Sequence, residues 1–280
     1  MRFVRFIYQG RPMLGLREDG KVRTLGPETL ESLLSSGEDL AAWVAARRSG
    51  GELVETEALR FLPPLPRPPK ILCVGLNYLE HTTEVKLEQP TYPTLFTRFA
   101  TSLVGHNEPI LRPQCSAALD YEGEMAVVIG RGGRHISKET ALEHVFGYAV
   151  FNDGSIRDYQ FRTPQWTMGK NFDATGGFGP DVVTADELPL GGRGLQVETR
   201  LNGKVVQSAS TDDMIFDVPT LISLTSEVLT LEPGDVIVSG TPAGIGWARE
   251  PRLLMKHGDV CEVSITGIGT LVNPIVDETA

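Results

Sequence analysis

Two glutamates, two positions apart, stand at the start of an apolar segment. The run Asp120-Tyr-Glu-Gly-Glu124 leads directly into Met125-Ala-Val-Val-Ile-Gly130, which has the composition of a buried strand. Residues two apart in a strand point to the same side, so Glu122 and Glu124 are predicted to project together. Two carboxylates on one face repel each other unless a cation lies between them. The alternative is a solvated edge strand, against which the apolar continuation argues.

A third carboxylate, Asp153, follows the predicted strand Gly147-Tyr-Ala-Val-Phe-Asn152. Functional sites are commonly built at strand ends, although an Asp before a Gly is also ordinary turn chemistry. Asp153 is therefore a ligand candidate only beside the two glutamates. Three carboxylates without a paired His or Cys make a hard oxygen site. Such a site suits Mg²⁺ or Mn²⁺, with Ca²⁺ as an alternative, and disfavours Zn²⁺.

A histidine and a glutamate, His81 and Glu84, are three residues apart, so one helical turn would place them on the same face. A carboxylate beside a histidine raises its basicity and fixes its tautomer, as a water-activating base requires. The alternative is a surface pair in a polar loop. Residues 79–93 are polar, which is typical of a lid over a substrate or of an exposed loop.

The elements that must position these residues are mostly short strands. Residues 1–62 are predicted to form a small N-terminal domain, with strands over 3–8 and 21–24 and helices over 28–35 and 39–48. Five prolines within Phe61–Pro69 forbid a helix or a sheet interior, so residues 63–69 are predicted to be an extended connector. Residues 70–280 are then the catalytic domain.

In the second domain, strand candidates outnumber helix candidates and few alternate in a βαβ order. This pattern predicts an α+β fold dominated by a mixed, curled sheet. Ile71-Leu-Cys-Val-Gly75 is predicted to be a strand, and a helix capped by Ser137 is expected between 130 and 147. Asn202-Gly203, between two alternating runs, predicts a hairpin. A helix over 218–229, a strand over 236–239 and the last strands over 259–276 complete the prediction.

Composition excludes several classes of protein. The formal net charge is −10, so nucleic acid and anionic membranes are poor partners. No apolar run approaches the roughly 20 residues that span a bilayer. The three cysteines are far apart in sequence, which fits buried thiols in a reducing cytoplasm. A cytoplasmic location is therefore expected.

Several separate motifs together resemble the fumarylacetoacetate hydrolase family over roughly 70–275. The matching stretches occur in family order: Val74-Gly-Leu-Asn-Tyr78 with His81 and Glu84, Asp120-Tyr-Glu-Gly-Glu124, Asn152-Asp-Gly-Ser-Ile-Arg-Asp158, Gln165-Trp166 with Gly169-Lys170 and Phe172-Asp173, and Gly240-Thr-Pro-Ala-Gly-Ile-Gly246. The resemblance implies a mixed β-sandwich roll with a small N-terminal α+β domain, bound Mg²⁺ or Mn²⁺, and a homodimer.

The resemblance also implies roles for individual residues. Glu122, Glu124 and Asp153 are implied as metal ligands, and His81, Glu84 and Lys170 as catalytic residues. Residues implied or expected to hold a small anionic oxo-acid are Arg98, Arg157, Gln160 and Thr241. Phe96-Thr-Arg98 stands where the family more often has Phe-x-Lys, which keeps the positive charge.

The presence of both His81 and Glu84 favours hydrolysis of a C–C bond in a β-dicarbonyl oxo-acid such as an acylpyruvate. Decarboxylation of an oxaloacetate-like acid and isomerisation of a dienoic oxo-acid stay open, because the same fold supports all three reactions. A metal-binding homologue without catalysis is a further alternative, against which the intact His81, Glu84 and Lys170 argue.

Overall fold

The computed structural model describes residues 1–84 and 90–279, apart from the side chains of residues 58 and 81–83. Its α-helices are α1 (Leu30–Ser36), α2 (Leu40–Arg48), α3 (Leu79–Glu84), α4 (Arg157–Gln160), α5 (Thr167–Lys170) and α6 (Val218–Val228). Across these residues, the helices are all too short or too polar to cross a membrane.

Strands make up most of the regular structure. They are β1 (Arg2–Tyr8), β2 (Arg11–Glu18), β3 (Lys21–Gly26), β4 (Leu53–Glu55), β5 (Arg60–Leu62), β6 (Ile71–Gly75), β7 (Thr94–Thr97), β8 (Leu103–Val104), β9 (Ile110–Arg112), β10 (Leu119–Asp120), β11 (Gly123–Ile129), β12 (Val145–Asp153), β13 (Ser155–Ile156), β14 (Gly176–Thr184), β15 (Gln196–Leu201), β16 (Lys204–Ser210), β17 (Val236–Val238), β18 (Val260–Ile265) and β19 (Gly269–Asp277).

The large sheet runs in the order β4-β3-β2-β1-β14-β12-β11-β17-β6-β7, with β5 and β8 paired at its side. A second sheet has the order β16-β15-β18-β19-β9. Most neighbours are antiparallel, but three pairs are parallel: β17 with β6, β19 with β9, and β14 with β8. The predicted α+β class, with large mixed sheets and few helices, is confirmed.

The N-terminal residues continue the sheet of the rest of the chain. β1 pairs with β14 in antiparallel register, from Arg2 opposite Val183 to Val4 opposite Asp181. Apolar side chains of α1 and α2, including Leu30 and Trp43, belong to the same buried cluster as Ala126 and Val128 of β11. An independent domain over 1–62 stays a prediction, and its sheet is shared with the residues that follow.

The central strand β11 is covered on both faces. Met125, Val127 and Ile129 pack in one apolar cluster with residues of α6, and the alternate side chains pack towards the N-terminal unit. All seven residues of β11 are buried. A strand covered on both faces reads as a continuous apolar run, which is why the sequence predicted it well.

Local sequence signals explain the hairpin and α6. Asn202 and Gly203 have φ of 51° and 77°, the conformation that a two-residue hairpin turn between β15 and β16 requires. α6 begins after Asp217, whose side chain accepts from the Thr220 N–H, and Pro219 stands in its first turn.

The helix predicted after Ser137 was wrong. The structure has only a short 3₁₀ turn over Ala141–His144, which follows Thr140 without a side-chain cap. The bonds in this segment are local and span three residues, from the Thr140 N–H to the Ser137 carbonyl and from the Glu143 N–H to the Thr140 carbonyl. β12 begins directly afterwards at Val145, so the chain enters the sheet before α-helical bonds are made.

Candidate metal centre and cleft

The three predicted ligands meet at the ends of two paired strands. Glu122 immediately precedes β11, and Asp153 ends β12. The strands are antiparallel with Gly123 opposite Asn152, and the Asp153 N–H donates to the Glu122 carbonyl at 2.8 Å. The register therefore places the start of one strand beside the end of the other.

The carboxylates of Glu122, Glu124 and Asp153 form a buried cluster. One oxygen from each lies within 4.8 Å of the others. The exposed fractions of the three residues are 5%, 2% and 0%. This burial separates the cluster from the solvated edge strand that the sequence left open.

Three buried cations surround the carboxylates. Lys170 Nζ donates to Glu122 Oε2 at 2.6 Å and to Asp153 Oδ2 at 2.5 Å. Arg157 Nη1 lies 2.6 Å from Glu122 Oε1, and Arg98 Nη1 donates to Asp153 Oδ1 at 2.5 Å. Burial lowers the pKa of Lys170, but the Asp153 and Glu122 carboxylates outweigh it and the net direction is upward, so the amine is held as an ammonium.

Glu124 is the carboxylate with the strongest reason to bind a cation. Its Oε2 accepts from the Gly240 N–H at 2.6 Å. Burial, and then the like charges of Asp153 and Glu122, raise the pKa of Glu124 well above its usual range. A dication among the three oxygens would attract the ionised Glu124 and so offset the effects of burial and of the neighbouring carboxylates. The hard oxygen donors fit Mg²⁺ or Mn²⁺.

A cleft opens directly above this cluster, with about 490 Å³ of space including its mouth. Its polar lining comes from Glu122, Glu124, Arg157, Gln160, Lys170 and Thr241, and its apolar lining from Val74, Gly75, Leu76, Phe96, Phe161, Trp166 and Ile245. Thus three predicted substrate residues, Arg157, Gln160 and Thr241, line the cleft.

Arg98, the fourth predicted substrate residue, lies behind Asp153. Its side chain is fully buried. Its guanidinium donates to Asp153, to the Gly154 carbonyl at 3.0 Å and to Thr175 Oγ1 at 2.8 Å. These contacts direct it at the carboxylate of a predicted metal ligand.

Asp120 belongs to the centre although the sequence singled it out only as part of a motif. Arg157 Nε donates to Asp120 Oδ2 at 2.8 Å, while the Gly246 and Trp247 N–H groups donate to the two Asp120 oxygens at 2.8 and 2.9 Å. Asp120 therefore fixes Arg157 and one wall of the cleft together. Its position two residues before Glu122 was the available signal.

The loop over 240–247 connects the centre to the predicted lid. Besides the Gly240 contact with Glu124, its Gly244 N–H donates to Glu84 Oε1 and Oε2 at 2.9 and 3.1 Å. Glu84 is the last residue of α3. The His81 side chain and residues 85–89 of the predicted lid lie outside the described residues.

Comparison with known proteins places these features in a family. Residues 70–276 match the family described as Fumarylacetoacetate (FAA) hydrolase C-terminal. The mitochondrial oxaloacetate tautomerase Fahd2a of Rattus norvegicus is 39% identical over 253 residues, covering 89% of this chain and 80% of the relative.

Two solved structures share the whole fold. A fumarylacetoacetate hydrolase from Exiguobacterium antarcticum is 38% identical with a TM-score of 0.87, covering 99% of this chain and all of that one. Maleylpyruvate hydrolase from Sphingobium sp. SYK-6, in complex with manganese(II) and pyruvate, is 25% identical with a TM-score of 0.84, and each chain is covered fully.

Proposed function

The chain belongs to the fumarylacetoacetate hydrolase family, and from that premise we propose that it interconverts the keto and enol forms of a small 2-oxo acid such as oxaloacetate. The observation that carries the proposal is the Lys170 ammonium, in contact with two buried carboxylates and lining the cleft. A relative called oxaloacetate tautomerase, 39% identical over most of the chain, supports the choice of reaction and substrate.

Glu122, Glu124 and Asp153 would hold Mg²⁺ or Mn²⁺ at the base of the cleft. When bound, such a cation supplies Lewis-acid polarisation of a substrate carbonyl. The chain surrounds it with four carboxylates, counting Asp120, and with three cations, Arg98, Arg157 and Lys170. With a dication added, the net charge of these groups would be positive, which would attract an anionic substrate.

Lys170 would act on the substrate oxygen that changes between the keto and enol forms. Its pKa is raised, so Nζ is protonated and can donate to the substrate oxygen on which negative charge develops. The proton at carbon must go to a base, and we assign that role to the pair His81 and Glu84. Only one C–H and one O–H bond change, so the reaction needs neither water nor an oxidant.

Two other polar residues of the cleft, Gln160 and Thr241, would orient the substrate. Gln160 Oε1 accepts from Arg157 Nη1 at 2.8 Å, which leaves the Gln160 amide N–H groups as donors. Thr241 Oγ1 donates to the Gly123 carbonyl at 3.1 Å and accepts from Gln207 Nε2 at 2.8 Å, so it ties the cleft wall to β11.

Hydrolysis of an acylpyruvate-like acid is the second candidate. It is favoured by the Glu84 carboxylate, which is fixed on the wall of the cleft at Gly244, three residues from His81. The similarity to a maleylpyruvate hydrolase points the same way. In this reaction His81, oriented by Glu84, would deprotonate the attacking water.

One experiment separates the two candidates. Enol oxaloacetate is mixed with Mn²⁺-loaded protein and its ultraviolet absorbance is followed, while acetylpyruvate cleavage is assayed in parallel. We expect rapid loss of the enol signal that Lys170→Met slows. Cleavage of acetylpyruvate without acceleration of tautomerisation would transfer the assignment to the hydrolase, and neither activity would refute both.

We also propose a homodimer formed through the face of α4 and α5. Phe161 and Met168 of this face are 55% and 68% exposed, and Phe99, whose N–H donates to Asn171 Oδ1, is 54% exposed. Exposed apolar patches of this kind commonly mark interfaces. A monomer mass in light scattering at micromolar concentration would refute the dimer.

A further inference from the structure

Arg98 sits in a socket that is built for a guanidinium. Four of its hydrogen bonds reach four different groups: Asp153 Oδ1, the Gly154 carbonyl, Thr175 Oγ1 and, from Nε at 3.2 Å, Ser102 Oγ. These acceptors come from the end of β12 and from segments before β8 and β14. The planar fork of an arginine can reach all of them, whereas a lysine donates from a single point.

The space for this side chain depends on a glycine. A Cβ on Gly176 would lie 2.9 Å from Arg98 Nη2 and 3.0 Å from Nε. The ring of Phe151, whose centroid is 5.9 Å from Cζ, lies on the same guanidinium. Arg98 is thus held by polar contacts in its plane and by packing against it.

The consequence falls on Asp153. Its Oδ1 accepts from Arg98 and its Oδ2 accepts from Lys170. Lys170 lines the cleft and its flexible stem lets the ammonium withdraw from Oδ2, whereas Arg98 is fixed by four contacts and keeps Oδ1. A cation in the cleft would therefore reach Asp153 through Oδ2 alone.

The other two carboxylates carry the same restriction. Glu122 Oε1 is paired with Arg157 and its Oε2 with Lys170, and Glu124 Oε2 accepts from the Gly240 N–H. Once Lys170 withdraws, each carboxylate would offer one oxygen to a cation. Three single oxygens with water and substrate suit the octahedral shell of a small ion, whereas Ca²⁺ takes six to eight oxygens and often binds a carboxylate through both.

We infer that Arg98 is a positioning residue that sets the cation selectivity of the centre, by holding Asp153 to single-oxygen binding and so favouring Mn²⁺ or Mg²⁺ over Ca²⁺. The inference rests on the proposed metal centre, and it separates the cations that the sequence left open. Arg98 acts through Asp153 and not on the substrate.

The test is calorimetric titration of the metal-free, full-length protein with MnCl₂ and with CaCl₂. Arg98→Met should lower Mn²⁺ affinity about 10- to 100-fold, the usual effect of losing a partner of a metal ligand. Ca²⁺ affinity should fall less, because the freed Oδ1 becomes available. The dissociation constants for Mn²⁺ and Ca²⁺ should therefore become more similar.

Three further variants distinguish the role of Arg98 in cation selectivity from a general structural effect. Arg98→Lys keeps the charge and should restore part of the ratio. Ser102→Ala removes the acceptor for Arg98 Nε, together with the local bond from Ser102 Oγ to the Phe99 carbonyl, and should shift the ratio slightly in the same direction, even if Arg98→Met fails to fold. Arg17→Met makes the same substitution at the Arg17–Asp181 pair, whose contacts are 2.7–3.0 Å, and should leave the ratio unchanged.

Equal losses of Mn²⁺ and Ca²⁺ affinity in Arg98→Met, or an unchanged ratio in Ser102→Ala, would overturn the selectivity role and leave the metal centre standing. A wild-type protein that binds neither cation would overturn the metal centre as well. A wild type that prefers Ca²⁺ would refute the inference while preserving the ligand assignment.

Discussion

The carboxylate centre and the rim of the cleft are built in opposite ways. The centre is buried at the ends of β11 and β12, and each of its carboxylates is held by a cation or a backbone N–H. The rim comes from α4 and from loops beside it, and its Phe161 is 55% exposed. The sheet therefore holds the predicted metal ligands in place, whereas a rim side chain can vary without disturbing them.

The largest expected effect comes from removing a charge at the centre. Glu124→Gln keeps the shape and the acceptor for the Gly240 N–H, but removes one of three anionic ligands. Mn²⁺ binding and activity should be lost. Because the pKa of Glu124 is raised in the fold, its ionised form destabilises the metal-free protein near neutral pH, so the variant should melt at a higher temperature without metal.

Calorimetry and thermal melting check both halves of that prediction. Glu227→Gln, on the exposed side of α6, is a control that should change neither quantity. Unchanged Mn²⁺ affinity in Glu124→Gln would remove this residue from the ligand set.

A smaller effect is expected from the cation that shares the centre. Lys170→Met should lower kcat about 10²- to 10³-fold, the range for loss of one donor to a developing charge. Metal affinity should hold or improve, because the Lys170 ammonium competes with the cation for Glu122 Oε2 and Asp153 Oδ2. Steady-state kinetics with saturating Mn²⁺ measure the first effect and titration the second. A parallel loss of metal affinity would make Lys170 structural.

His81 is the proposed base in both candidate reactions, so its substitution tests that role and does not distinguish the two reactions. His81→Ala should lower the tautomerisation of oxaloacetate, or the hydrolysis of an acylpyruvate, about 10²- to 10⁴-fold with metal affinity intact. Both substrates are assayed on the same preparation. A variant with both rates unchanged would show that another group takes the proton.

The smallest effect is expected at the rim. Gly75→Ala would place a methyl 2.3 Å from Trp166 Cζ3, so the indole that lines the cleft must shift. We expect a stability loss of roughly 1–3 kcal/mol, typical of overpacking, and an altered KM with metal affinity unchanged. Denaturant melts and a KM series check this. A changed metal affinity would mean that rim and centre are coupled.

The sequence predicted the centre better than the rim, for a physical reason. Strand periodicity and strand ends are local signals, so the meeting of Glu122, Glu124 and Asp153 could be foreseen. Arg98 was expected at the substrate, because sequence cannot tell a buried charge from an exposed one. Its burial depends on Gly176 and Thr175, distant in sequence.

The wrong predictions elsewhere have their causes in the neighbouring sheet. The helix predicted after Ser137 is replaced by local three-residue bonds because β12 begins at Val145. The sharing of a sheet by β1 and β14, 174 residues apart at their starts, has no local signature. The hairpin at Asn202-Gly203 succeeded because two residues with positive φ determine it.

The most direct test of the account is anomalous diffraction from crystals of the protein soaked with Mn²⁺. We expect one anomalous peak bound by a single oxygen from each of Glu122, Glu124 and Asp153, with Asp153 Oδ1 still on Arg98. A peak at any other place, or coordination by both oxygens of Asp153, would contradict it.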